Sequence, residues 1–174
     1  MEIANHIFVA VVPVVCYSLV RYHRVTSGSV LLVALVAGLF PDLVDKPLAW
    51  TFGVIPSGRM LAHSLVIASV VILSVLLVAS RRRRLPHGLV FAWGYLSHIA
   101  GDFYTVLVEG SGYYYYPNLF WPLVTAVPDR NPGFEGKLPV LGVETLGELT
   151  LLAVLAAYIA LDIRQRRTRR LQTG

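Results

Sequence analysis

Gly94-Tyr95-Leu96-Ser97-His98-Ile99-Ala100-Gly101-Asp102-Phe103 is the stretch on which the reading of this chain turns. It lies in a run, roughly residues 88–108, that is apolar enough to cross a bilayer, yet it holds an imidazole at His98 and a carboxylate at Asp102. Four residues apart on a helix, the two side chains share a face, as two ligands of one metal ion would. An ionisable group at the centre of a membrane helix costs about 2.5–3.5 kcal/mol on insertion scales, so such groups are kept chiefly for function.

The surrounding composition supports a membrane setting. The 174 residues are 56% hydrophobic and 14% charged, with a mean hydropathy of +0.64. Soluble domains carry about 25% charged residues, and a chain this far below that reads as an integral membrane protein of one domain, residues 1–174. The first apolar segment lacks the basic start and small-residue cleavage site of a signal peptide. One cysteine, Cys16, leaves no partner for an internal disulfide and no basis for a Cys-based zinc site.

Five apolar segments can be marked, at residues 3–20, 29–45, 59–80, 88–108 and 143–163, each near the length needed to span. The second is short and meets Pro41, which is expected to interrupt it. The arginines lie between or after these segments, at Arg21–Arg24, Arg81–Arg84 and the basic tail 164–174. Cytoplasmic anchoring beside anionic headgroups accounts for them better than nucleic-acid binding does, and no nucleic-acid partner is expected. The expectation is therefore an all-α integral membrane helical bundle of about five transmembrane helices. Its N-terminus lies outside, its C-terminus in the cytoplasm, and a long extracytoplasmic loop covers residues 109–142. Trp50, Tyr113 to Tyr116 and Trp121 then lie on the outer side, as an aromatic belt would.

That orientation, fixed by loop arginines alone, brings the intramembrane polar residues to one end. His6 opens the first segment from outside, and Asp42 and Asp45 close the second there. His63 stands near the outer end of the third, expected to be helical from Arg59, while His98 and Asp102 occupy the outer half of the fourth. Glu144 and Glu148 open the fifth, as ligands, supporting residues or helix N-terminal charges. Taken singly, a membrane histidine is more often a helix–helix hydrogen bonder, and Asp45 with Lys46 is an ordinary interfacial pair. Three histidines and three aspartates at one depth point to a metal site, for which imidazole and carboxylate donors favour Zn²⁺ over Mn²⁺ or Fe²⁺. His23 and His87 lie at the other end and are set aside. No HExxH occurs, and no glycine-rich phosphate loop. Ser64 next to His63 points to a different helix face, so the two make a poor nucleophile–base pair.

The order of His6, then Gly38-Leu-Phe-Pro-Asp-Leu-Val-Asp45, then Arg59-Met-Leu-Ala-His-Ser64, then Ser97-His-Ile-Ala-Gly-Asp102, resembles the YdjM-like family of membrane-bound, metal-dependent hydrolases. Phe120-Trp-Pro-Leu123 resembles that family's Trp-Pro element. A further similarity runs to the zinc phospholipase C and P1 nuclease group. It implies that Asp45 (or Asp42), His63, His98 and Asp102 hold one metal, and that Asp102 bridges to a second bound by His6. The third site of that group needs two further histidines, one in His-x3-Glu; here Glu144-x3-Glu148 stands instead, which implies one or two ions.

The chemistry implied is hydrolysis by metal-activated water, since Zn²⁺ lowers the pKa of water to about 7. Whichever of Asp42 and Asp45 is not a ligand would orient the water or act as general base. Arg59, one turn before His63, would neutralise a phosphate with its fork of donors, or simply snorkel to the interface. A site at headgroup depth on the outer face of the plasma membrane would meet a phospholipid or another lipid-linked phosphoester, with membrane lipids as its partners. A metal or proton transporter is the main alternative. It would need polar residues continuing to the cytoplasmic end, where the third and fifth segments are Val, Leu, Ile and Ala. A non-catalytic, metal-stapled membrane protein is the other.

Overall fold

The spacing of apolar residues produces helices throughout. In the computed structural model, residues 3–110, 113–130 and 143–172 are described, and among them there is no strand. Helix α1 covers Ile3–Tyr22, α2 Gly28–Lys46, α3 Leu65–Arg81, α4 Leu85–Glu109 and α5 Val143–Gln172. A π-helical turn, Pro47–Thr51, extends α2, and a 3-10 helix, Tyr113–Phe120, follows α4. Two stretches, Ala4–Tyr22 and Gly28–Thr51, are long and apolar enough to cross a membrane, and Leu65–Arg81 is apolar but shorter.

Helix α2 is the centre of the bundle, packed on α4, α1 and α5, while α3 lies against α4. Two glycines set how closely this centre closes. A Cβ added to Gly94 of α4 would come within 2.9 Å of the Ala37 Cβ and 3.0 Å of the Ala34 carbonyl on α2. One added to Gly38 would stand 2.6 Å from the Ala10 Cβ on α1. Small residues at such crossings let helix backbones approach, the usual device where lipid, not water, surrounds a bundle. Two apolar cores flank the crossing. One gathers Ala68, Ile72, Tyr95, Ile99 and Phe103 between α3 and α4, and the other Ile7, Val11, Leu31, Ala34 and Ile159 between α1, α2 and α5.

The ends of the elements differ from the sequence reading in instructive ways. Pro41 does not interrupt α2, which runs on through it to Lys46. The third helix begins not at Arg59 but at Leu65, so His63 stands in an irregular segment ahead of it. The cause is local hydrogen bonding. Asp45 accepts the backbone N–H groups of Met60, Ala62 and His63, which fixes residues 60–63 as a loop. Ser64 then caps α3, its hydroxyl accepting from the N–H groups of Val66 and Ile67 and donating to the Trp121 carbonyl. That hydroxyl is engaged as a cap, and neither Ser64 nor His63 lies within the helix on whose faces they were expected. At the opposite end the start of α2 is held by α5, whose Asp162 Oδ2 accepts the Gly28 N–H at 2.8 Å. Tyr158 donates to the Thr26 carbonyl beside it.

Candidate metal centre

Alternating helix directions bring the start of α1, the end of α2, the loop before α3 and the second half of α4 together. His6, Asp45, His63 and His98 are each at most 1% exposed, and Asp102 is 4% exposed. Buried polar groups must be partnered, and the pattern of partners here separates the six predicted residues into distinct roles.

His63 and His98 are oriented from behind. The Nδ1 of His63 stands 2.9 Å from Asp45 Oδ2 and the Nδ1 of His98 2.7 Å from the Gly38 carbonyl oxygen. Both partners only accept, so in each neutral ring Nδ1 carries the proton and Nε2 carries the lone pair. The two Nε2 atoms face one another at 3.2 Å. Around them lie Asp42 Oδ1, 3.6 Å from His63 Nε2 and 3.7 Å from His98 Nε2, and Asp102 Oδ2, 3.5 Å from His63 Nε2. One donor atom from each of Asp42, His63, His98 and Asp102 lies within 4.8 Å of the others, and all four residues are buried.

The two lone pairs face one another, and the carboxylates that converge on them are each paired at Oδ2 with a cation, Asp42 with Lys46 and Asp102 with Arg59. Asp42 Oδ1 and His6 Nδ1 are buried with no hydrogen-bond partner among the described residues. A metal cation would satisfy the facing lone pairs directly. Two imidazoles and two carboxylates form a donor set suited to Zn²⁺, Mn²⁺ or Fe²⁺. Ligating histidines characteristically donate their other ring N–H to a carboxylate or carbonyl, as both do here. The residues present fit a metal ion.

The other predicted residues surround this group. Asp45 is completely buried, and its contacts run to loop 60–63 and the far side of His63. His6 stands one step outward, its Nε2 3.1 Å from Asp102 Oδ1 and its ring stacked on His98 at 3.8 Å between centroids. Arg59 Nε donates to Asp102 Oδ2 at 2.8 Å, and its guanidinium lies 5.3 Å over the Tyr115 ring. Its side chain is 33% exposed, the most open of the charged groups around the cluster. Lys46, expected beside Asp45, instead pairs with Asp42 Oδ2 one helical turn back. The side chains of Glu144 and Glu148 lie outside the described residues, as do residues 111–112 and 131–142 of the long loop. His23 and His87 are remote from the cluster, the latter 3.2 Å from the Ser29 hydroxyl near the start of α2.

Sequence reasoning missed the struts that hold the loops over this end. Asp129 accepts from the Trp50 indole at 2.7 Å, the Ser57 hydroxyl at 2.8 Å and the Gly58 N–H at 2.9 Å. Burial alone would push its carboxyl up, but these donors, with Tyr115, hold it below the ordinary carboxylate range. Asn118, fully buried, bonds the carbonyls of Arg59 and Val127 and accepts the Val127 N–H. Nothing in the spacing of Asn118 or Asp129 announces these partners, of which Trp50, Ser57, Gly58 and Arg59 come from a segment more than 50 residues away.

No match was found among curated proteins or among solved structures. A family model does match, over residues 1–169, essentially the whole of the bundle whose polar end has just been described. With that extent of agreement, the chain belongs to the YdjM inner membrane protein family.

Proposed function

We propose that this protein is a membrane-embedded, metal-dependent hydrolase of phospholipids or other lipid-linked phosphoesters, with about five spans and its site at the outer face. The observation that carries the reading is the pair of His63 and His98 Nε2 atoms, 3.2 Å apart, each with its Nδ1 committed elsewhere. A polar network built only for helix packing would place a donor opposite an acceptor. Asp42, His63, His98 and Asp102 would hold the ion. When bound, Zn²⁺ would supply water of lowered pKa and polarise a phosphoryl oxygen.

The remaining residues have parts that follow from their contacts. Asp45 is a positioning residue, since it fixes the His63 ring and the loop that carries it. His6 steadies Asp102 from its other oxygen and stands where a second ion would need a ligand. Arg59, partly open beside Asp102, offers its remaining guanidinium donors to a substrate phosphate. Arginines gathered at the opposite end support an N-outside, C-inside orientation, which would put this cluster at the depth of outer-leaflet headgroups.

The test is headgroup release from phospholipid in nanodiscs, with zinc present. Wild-type protein should release a water-soluble phosphate product, Asp102→Ala should not, and Arg59→Ala should raise KM more than it lowers kcat. Turnover that persists in Asp102→Ala at the wild-type rate would end the hydrolase reading.

A further inference from the structure

A second feature lies at the other end of the bundle, away from the metal centre. Between α2, α3 and α4 runs a groove of about 450 Å³. Its walls are apolar, formed by Val33 of α2, Val75 and Val78 of α3 and Phe91 of α4, and its mouth carries Arg82 and Arg84. The volume falls in the range of small-molecule sites, about 300–1,000 Å³.

The arginines are not loosely attached to this mouth. Helix α3 ends with the Arg84 N–H donating to the Ala79 carbonyl at 2.7 Å and the Arg83 N–H to the Ser80 carbonyl at 3.0 Å. This is the double bond of a Schellman turn, and Arg83 occupies its left-handed position with φ 54°. Glycine is the residue favoured there, so an arginine is kept at a conformational cost. The turn pins the backbone of Arg82 and Arg84 beside the groove. Within the sequence Arg81–Arg84 there is no acidic residue to neutralise them. Below the mouth the His87 ring is tied to Ser29, which leaves the wall beneath it apolar.

An apolar slot opening under two exposed arginines, whose backbone is held in place by the turn, complements an amphiphile with a negatively charged head. In a protein of an inner membrane family, we infer that this groove holds an anionic phospholipid, its phosphate on Arg82 and Arg84 and one acyl chain between Val33, Val75, Val78 and Phe91. The inference is independent of the chemistry proposed for the metal centre.

Native mass spectrometry of detergent-solubilised protein titrated with dioleoyl-phosphatidylglycerol tests it, with dioleoyl-phosphatidylcholine as the zwitterionic, net-neutral comparison. Each arginine near a headgroup contributes about 1 kcal/mol, so Arg82→Gln/Arg84→Gln should weaken phosphatidylglycerol binding about 30-fold. Val75→Trp, which fills the slot and keeps every charge, should abolish retention. Arg164→Gln/Arg167→Gln, the same loss of charge on α5, should leave it unchanged, and phosphatidylcholine should not be retained. Equal weakening by the α5 pair would overturn the proposal, because bulk charge would then explain the binding. So would equal retention of phosphatidylcholine, unaltered binding in Val75→Trp, or displacement of the lipid by millimolar inorganic phosphate.

Discussion

The two ends of this bundle use ionisable side chains in opposite ways. At one end, His6, Asp42, Asp45, His63, His98 and Asp102 are all buried and in contact with one another, while Arg59 and Lys46 beside them are partly open. At the end marked by Arg21, Arg81–Arg84 and Arg164–Arg167, the charges are exposed. Exposed arginines tolerate rearrangement, because water and headgroups solvate them wherever they point. Buried groups do not, since each is stabilised only by one geometry. The contrast teaches that the arginine end can vary in detail, while the histidine–aspartate end must be built to a fixed pattern to exist at all.

The largest expected effect breaks the buried end at its centre. His63→Ala or His98→Ala removes one of the two converging Nε2 donors, and activity and metal binding should both be lost, read by product release and by metal titration. The Asp45→Asn substitution sharpens the point, because it spares all four proposed ligands. Removing such a supporting group lowers metal affinity about 10–100-fold, so zinc should still bind, but more weakly, in a competition titration against a chelator. If Asp45→Asn abolished binding as completely as His63→Ala, Asp45 would be a ligand and not a positioning residue.

Next in size is the crossing that brings the helices together. Gly94→Val would press on the Ala37 side chain and the Ala34 carbonyl, and overpacking of this kind costs about 1–3 kcal/mol. The expected result is a lower melting temperature in detergent with a matching loss of metal, since α2 and α4 carry Asp42, His98 and Asp102. A smaller effect of opposite sign is expected at the arginine end. Arg83→Gly relieves the left-handed backbone and should stabilise by about 0.5–1 kcal/mol, with metal binding untouched.

The smallest effect concerns the struts over the site. The Asp129 carboxyl is held below its ordinary value in the folded protein. Its contribution is therefore complete above the unfolded carboxylate pKa of about 4 and is lost as pH falls through the lower, folded value. Protection factors for hydrogen exchange at the Trp50 indole and the Gly58 amide should fall on acidification, and Asp129→Asn should lack that acid step. Protection that rises as pH falls would contradict the assignment.

How far the sequence foretold this arrangement depends on the range of the interaction. His98 and Asp102 were legible because their four-residue spacing on one helix settles their common face. The convergence of His6, Asp42 and His63 with them was legible because arginine-bearing loops imply alternating helix directions. The choice between Asp42 and Asp45 was not. Which of them meets the His63 Nε2 atom is decided by loop 60–63, and that loop exists because Asp45 gathers its N–H groups. An apolar pattern running through Met60, Leu61 and Ala62 read as helix, and a carboxylate fifteen residues earlier overrode it. Asn118 and Asp129 were invisible for the same reason, their roles resting on contacts between distant loops.

The central claim is that the converging imidazoles and carboxylates exist to hold a metal ion. Elemental analysis of detergent-purified protein, beside a His98→Ala/Asp102→Ala double variant, tests it most directly. The account predicts one or two equivalents of a transition metal, most simply zinc, in the wild-type protein and none in the variant. No bound transition metal in either protein, even after zinc is resupplied, would contradict it and leave the cluster a polar network or a proton site.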